Sequence, residues 1–136
     1  MASQLNPYLT FDGNAREAME FYRSVFGGEL TLNTFGDLGT PDADLKDKIM
    51  HAQLETPDGY WLMGSDMAPG IPYTQGTTMT VSLSGDDASL RGYFTKLAAA
   101  GTVTMPLEKQ VWGDEFGQVT DKFGVAWMIN IGQPQS

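Results

Sequence analysis

Hydrophobic residues recur along the chain in two blocks, each with the pattern of a strand, a helix and three further strands. The first helix is predicted between Asn14 and Gly27, because apolar residues recur there three and four positions apart. Asn14 is placed to cap this helix, with Glu17 completing a capping box. The buried stripe is expected to comprise Ala15, Ala18, Met19, Tyr22, Val25 and Phe26.

The second block repeats this order. Asp86 or Asp87 is expected to cap its helix, whose stripe is Leu90, Phe94 and Leu97 and which ends at Gly101. Strands are predicted over residues 5–11, 29–35, 49–56 and 60–65 in the first block, and over 78–84, 102–109, 117–121 and 125–131 in the second.

The two blocks also share residues at a constant spacing of 72: Gly13 matches Gly85, Asn14 matches Asp86, and Val25 matches Leu97. We therefore predict an α+β fold of two β-α-β-β-β modules, over about 5–66 and 77–131, within one domain spanning 1–136. A Pro- and Gly-rich linker, 67–76, joins them. Eight mostly antiparallel strands are expected to form a half-open barrel with a ligand cleft between the modules.

Charge and composition exclude several classes of function. Eight Lys and Arg against 17 Asp and Glu give a net charge of −9, which disfavours nucleic acid and anionic membranes as partners. The chain has no Cys and one His, so disulfides, thiolate nucleophiles and His-rich metal sites are excluded. A basic and apolar leader and a membrane-spanning run are both lacking, so we expect a cytoplasmic protein.

Several segments resemble the vicinal oxygen chelate superfamily, and within it the PhnB-like branch. They are LTFDGNAREAMEFYRSVFGGEL at 9–30, MHAQL at 50–54, LMGSDMAP at 62–69 and, most specifically, FGQVTDKFGVAWMIN at 116–130. The resemblance covers nearly all of 5–131 and implies the glyoxalase/bleomycin-resistance fold. Some members of the branch carry a ubiquinone methyltransferase label, but this chain lacks a glycine-rich cofactor loop between a strand and a helix.

The resemblance also implies where a metal would bind in metallo-enzymes of the superfamily. Their four ligand positions fall at about Pro7, Met63, Thr78 and Met128, none of which is an ordinary ligand for Zn²⁺, Ni²⁺ or Fe²⁺. We therefore expect no metal ligands and no cofactor.

Two residues are candidates for catalysis. His51, on a predicted strand, is suited to act as a general base or to hydrogen-bond a ligand; the alternative is a histidine satisfied within the sheet. Asp66 ends a predicted strand, where its carboxylate could accept a hydrogen bond from a ligand or from His51, or cap the following turn.

Aromatic and sulfur-containing residues complete the predicted ligand site. Trp112 and Phe116 flank the acidic turn Asp114-Glu115 and are expected at the mouth of the cleft. Tyr8, Met63 and Trp127 are expected to line it, with plain core packing as the alternative for the large apolar residues.

Two hypotheses of function follow. The first is a metal-independent small-molecule binding protein, with sequestration of an apolar ligand for resistance as a variant. The second is an enzyme of the same superfamily, a lyase, isomerase or dioxygenase that is assisted by His51 or depends on a metal. Unpaired sheet edges favour a homodimer in either case.

Overall fold

The computed structural model describes residues 3–39, 45–67 and 71–132. The chain divides into two compact units, Met1–Thr74 and Gln75–Ser136. In the first unit the elements are β1 (Tyr8–Phe11), α1 (Ala15–Phe26), β2 (Glu29–Thr34), a short 3-10 turn (Gly36–Leu38), β3 (Ile49–Glu55) and β4 (Trp61–Asp66). In the second they are β5 (Val81–Gly85), α2 (Ser89–Ala98), β6 (Thr102–Lys109), β7 (Glu115–Thr120) and β8 (Ala126–Ile131).

The predicted α+β class and the element order are therefore confirmed. Each unit contains one helix and one open four-stranded sheet, in the order β1-β4-β3-β2 in the first and β5-β8-β7-β6 in the second. One strand pair in each sheet is parallel, β1 with β4 and β5 with β8, and the other pairs are antiparallel. The joint barrel and its cleft stay a prediction, and residues 68–70 of the predicted linker lie outside the described residues.

Helix α1 forms because its apolar residues fall on one face, which the sheet of the first unit covers. All six predicted stripe residues are buried: Ala15, Ala18, Met19, Tyr22, Val25 and Phe26. The predicted capping box is wrong, because Asn14 makes no side-chain hydrogen bond at this helix end. The amide of Ala15 is instead bonded by Asp66, a residue 51 positions away at the end of β4.

Helix α2 follows the same rule with a shorter stripe. Leu90, Phe94 and Leu97 are buried, as predicted. The carboxylate of Asp87 accepts a hydrogen bond from the backbone N–H of Ser89, the first residue of the helix, at 2.9 Å. The N-terminus of α2 is therefore capped by a residue near it in the sequence, whereas the N-terminus of α1 depends on a tertiary contact.

Gly117, on β7, has no side chain, which allows β7 to lie close to Leu107 of β6 and to the Phe94 ring of α2. A Cβ at this position would lie 2.8 Å from the Cα of Leu107 and 2.9 Å from the Phe94 ring. Replacing Gly117 with Ala is therefore expected to reduce the free energy of unfolding by about 1–3 kcal/mol through overpacking. Urea unfolding followed by circular dichroism would measure this change.

Gly92 provides the matched control for that substitution. It lies in α2, and an added Cβ would meet no atom within 4 Å. Gly92→Ala is expected to raise the free energy of unfolding by about 0.5–1 kcal/mol, because Ala is the better helix former. If both substitutions changed the free energy of unfolding by the same amount, close packing would not be the reason that Gly117 resists a larger side chain.

Candidate functional site

The face of the first sheet that is turned away from α1 carries the candidate site of the first unit. Side chains alternate across a strand, and Leu62, Gly64 and Asp66 of β4 are buried towards the helix. Met63 therefore lies on the opposite face, in register with Tyr8 on β1 and with Gln53 on β3. We call this the open face of the first sheet, and its residues are half-buried or exposed.

Tyr8 and His51 contact one another on this open face. The Tyr8 hydroxyl lies 3.5 Å from Nδ1 of His51, and the two ring centroids are 5.9 Å apart. Tyr8 is 50% exposed, so its hydroxyl is accessible from outside the sheet. A phenol and an imidazole placed together can donate and accept hydrogen bonds to one polar ligand group, or move a proton to or from it.

Asp66 does not join this pair. It is only 6% exposed and lies on the helix side of β4. Its Oδ1 accepts a hydrogen bond from the Ala15 amide and its Oδ2 one from the Ile49 amide, both at 2.9 Å. Both carboxylate oxygens thus hold backbone groups of α1 and β3. Ile49, one of these two partners, lies two residues before His51 on β3.

The second sheet has an open face of the same construction. Gly117 and Val119 of β7 are buried towards α2, so Phe116 and Gln118 lie on the other side. Gln118 is in register with Met128 on β8. A Met–Gln neighbour pair therefore recurs in both units, Met63 with Gln53 and Met128 with Gln118. Gln53 and Gln118 are 65 positions apart in the sequence, and so are Met63 and Met128. This repeat becomes visible only from the strand register.

Trp112 lies in the turn between β6 and β7 and is 59% exposed. Its ring meets that of Phe116 edge to face, with centroids 6.1 Å apart. Next to Phe116 in the ladder is Asn130, whose amide donates to Oδ2 of Asp114 at 3.0 Å. Asn130 was missed by the sequence reasoning, although its position two residues beyond Met128 on one strand carried the signal.

Trp127 belongs to the core of the second unit and not to its open face. It is 2% exposed, and its Nε1 donates to Oδ2 of Asp121 at 2.9 Å. Alternation contained the signal for this placement, because Trp127, Ile129 and Ile131 share one side of β8 and all three are buried. The Trp127 indole therefore packs in the core, and its N–H group is already hydrogen-bonded within the protein.

The four metal positions implied by the resemblance do not fit a divalent metal. Two are Met63 and Met128, whose thioethers are soft ligands; Pro7 has no side-chain donor atom, and Thr78 offers only a neutral hydroxyl. Across 3–39, 45–67 and 71–132, no group of three or more His, Cys, Asp or Glu side chains could hold a metal ion.

Comparison with solved structures identifies the class of fold. The glyoxylase/bleomycin resistance protein/dioxygenase domain from Frankia sp. EAN1pec is 15% identical, with a TM-score of 0.67, and the match covers 98% of this chain and 99% of that one. The two helix-backed open sheets thus have the glyoxalase/bleomycin-resistance fold.

Sequence comparison then identifies the family. The family of 3-demethylubiquinone-9 3-methyltransferases matches residues 3–130, and this chain belongs to that PhnB-like family. Protein YjdN from Escherichia coli is 32% identical over 96% of this chain and 97% of its own length.

Two solved structures support the same assignment. Protein PA1353 from Pseudomonas aeruginosa is 43% identical with a TM-score of 0.87, covering 98% of this chain and 100% of that one. The PhnB protein from Bacillus cereus is 27% identical with a TM-score of 0.75, covering 96% and 100%. The predicted family resemblance is therefore confirmed.

Proposed function

We propose that this protein binds an organic small molecule without a metal, on the open faces of its sheets. The observation that carries the proposal is the Tyr8–His51 pair beside Met63. The pair combines polar groups that can orient a ligand with an adaptable thioether. Trp112 and Phe116 offer an aromatic surface on the second sheet for a planar part of the ligand.

Metal independence is supported by the donor set and can be tested directly. A melting scan of the purified protein with Ni²⁺, Zn²⁺, Mn²⁺ or Fe²⁺ at micromolar concentration is expected to leave the melting temperature unchanged. A rise of several degrees, or a stoichiometric metal found by elemental analysis without chelators, would contradict the proposal, since a ligand of the native state must stabilise it.

We do not propose methyl transfer, the activity in the family's name, for this protein. The sequence has no glycine-rich cofactor loop leaving a strand and opening a helix. Calorimetric titration with S-adenosylmethionine is expected to show no binding, and a saturable heat would reopen the question of methyl transfer.

The binding role of the Tyr8–His51 pair gives the main test. In a titration with a panel of planar aromatic compounds bearing a polar group, binding is expected to perturb amide signals of β3 and β4 in NMR spectra. For compounds that bind, Tyr8→Phe and His51→Gln are each expected to weaken affinity about 5- to 30-fold, the worth of one hydrogen bond of roughly 1–2 kcal/mol.

Tyr60→Phe is the matched control, because Tyr60 lies in the turn before β4 and outside the open face. It is expected to leave every isotherm unchanged. Unchanged affinities in the Tyr8 and His51 variants would remove the pair from the site and with it the observation on which the proposal rests.

A second candidate function, catalysis assisted by His51, is favoured by the same contact. An imidazole within reach of a phenol hydroxyl can act as a general acid or base in a lyase or isomerase reaction. If a turnover is found, His51→Gln is expected to abolish it, while a merely binding role for His51 would leave the rate at saturating substrate largely intact.

We also propose a homodimer, since each open sheet has two edge strands, β1 and β2 in the first and β5 and β6 in the second. Light scattering coupled to size exclusion is expected to give twice the chain mass of 14.8 kDa. A mass equal to one chain at all concentrations would contradict it.

A further inference from the structure

An aromatic pair, of which Trp112 is exposed and Phe116 is half-buried, lies beside two carboxylates at one end of the open face of the second sheet. Trp112 and Phe116 form the pair, and Glu108 and Asp114 carry the carboxylates. We propose that this end of the face binds the cationic group of an organic ligand, a quaternary or protonated amine bearing small alkyl groups. The inference rests on the proposed function, because it assigns the ligand chemistry at one part of the proposed site.

The aromatic geometry suits an alkylated cation. The two ring planes meet at 65°, so they form two walls of a corner instead of a flat stack. Each aromatic face presents negative electrostatic potential, which attracts a cation placed within about 6 Å of the ring centre. A tetrahedral alkylammonium group can contact both walls of such a corner, whereas a planar neutral ring can stack on only one.

The charges around the pair have the matching sign. Glu108 and Phe116 are directly opposite one another on β6 and β7, so their side chains share the open face. On the other side of Phe116 is Asn130, which holds the carboxylate of Asp114 at 3.0 Å. Lys109, the residue after Glu108, is in register with Glu115 on the helix side of the ladder, and the Glu115 carboxylate forms an ion pair with Arg91. The net charge of −9 adds a long-range attraction for cations.

The turn that carries Trp112 is held by its own hydrogen bonds. The Gln110 amide donates to the Asp114 carbonyl at 2.8 Å, and the Gly113 amide donates to the Gln110 carbonyl at 3.0 Å. The Gln110 side-chain amide also donates to the Glu108 carbonyl at 2.9 Å. The backbone is therefore ordered before a ligand arrives, which lowers the entropic cost of binding.

The test uses two probes of the same shape and different charge, (4-hydroxyphenyl)trimethylammonium and 4-tert-butylphenol. Affinities for the purified protein are measured by calorimetry, and the methyl protons of each probe are followed by NMR. The cationic probe is expected to bind roughly 2- to 30-fold more tightly, the range that a cation–π contact supplies. Its methyl signals are expected to move upfield, because they lie over the ring faces.

Charge and aromatic contributions are separated by two variants and a control. Glu108→Gln is expected to reduce the preference for the cation at low salt and to leave the neutral probe unaffected. Trp112→Ala is expected to remove the upfield shift. Val111→Ala, which changes the fully exposed neighbouring residue in the same turn, is expected to change neither affinity.

Failure of this inference can be distinguished from failure of the proposed function. If both probes bind equally and Trp112→Ala weakens both, the cation preference is wrong while ligand binding at this face stands. No measurable binding of the cationic probe at millimolar concentration would also overturn the inference. The proposed function is judged separately, by the titrations of the Tyr8 and His51 variants.

Discussion

Replacing Asp66 with Ala is expected to lower the free energy of unfolding by about 3–6 kcal/mol, because two buried N–H groups lose a charged acceptor together. The donors are the amides of Ala15 and Ile49, each 2.9 Å from its own carboxylate oxygen. The carboxylate also lies at the N-terminus of α1, where a negative charge is favourable. The loss would be a large share of the 5–15 kcal/mol typical of a natural domain. Urea unfolding followed by circular dichroism measures it.

Two further variants show whether this interpretation of Asp66 is correct. Asp66→Asn is expected to rescue little, because its amide NH₂ would face one of the two N–H donors. Asp37→Ala removes a carboxylate that accepts the Thr34 amide at an exposed site, so it is expected to cost no more than about 1 kcal/mol. An Asp66→Ala protein as stable as the Asp37→Ala protein would contradict the positioning role.

The same variants bear on the catalytic hypothesis for Asp66. If the residue only positions α1 and β3, the folded fraction of Asp66→Asn at low temperature is expected to bind ligand with a pH dependence like that of the wild type. A changed pH dependence together with near-normal stability would show that the carboxylate acts on the ligand, and would return Asp66 to the site.

Replacing Asp121 with Ala is expected to cost about 3–6 kcal/mol in the second unit for a parallel reason. Its Oδ1 accepts the amides of Phe123 at 2.8 Å and Val125 at 3.1 Å, and its Oδ2 accepts the indole N–H of Trp127 at 2.9 Å. Asp121 is 3% exposed, so water cannot replace these bonds without local opening. Urea unfolding measures the loss, and the emission of buried Trp127 should shift to longer wavelength.

A double-mutant cycle isolates the indole contact. Trp127→Phe removes the N–H donor, and its combination with Asp121→Ala is expected to show a coupling of about 1–3 kcal/mol. Asp87→Ala is the control, because Asp87 accepts the Ser89 amide at an exposed helix end and should cost only about 0.5–2 kcal/mol. Additive effects in the cycle would mean that Trp127 is held by packing alone.

Local rules predicted the helices well and the sites only in part. The stripes of α1 and α2 follow from spacing within one segment, so every stripe residue was found. Strand bounds were less accurate: β1 begins at Tyr8 instead of Leu5, and β5 at Val81 instead of Thr78. Each of these strands pairs with one neighbour only, and that neighbour determines where the ladder begins.

The candidate site shows the same division. The bond from the Phe123 amide to Asp121 spans two residues, so a local turn rule is enough to account for it. The partners of Asp66 are 51 and 17 residues away, and no short-range pattern could identify them. Trp127 was predicted to line the cleft, with core packing as the alternative, and its side of β8 places it in the core.

The sequence alone thus determined the order of the elements, their apolar faces and the residue types at the four positions where related metallo-enzymes bind a metal. The first two depend on near-neighbour spacing and the third on residue type alone. Tertiary structure decided which polar groups meet. Strand register brings Tyr8 to His51 and Phe116 between Glu108 and Asn130, and it directs Asp66 into the interior. Register depends on how whole strands pair and pack, so a site built across three strands of a sheet is specified only when the chain has folded.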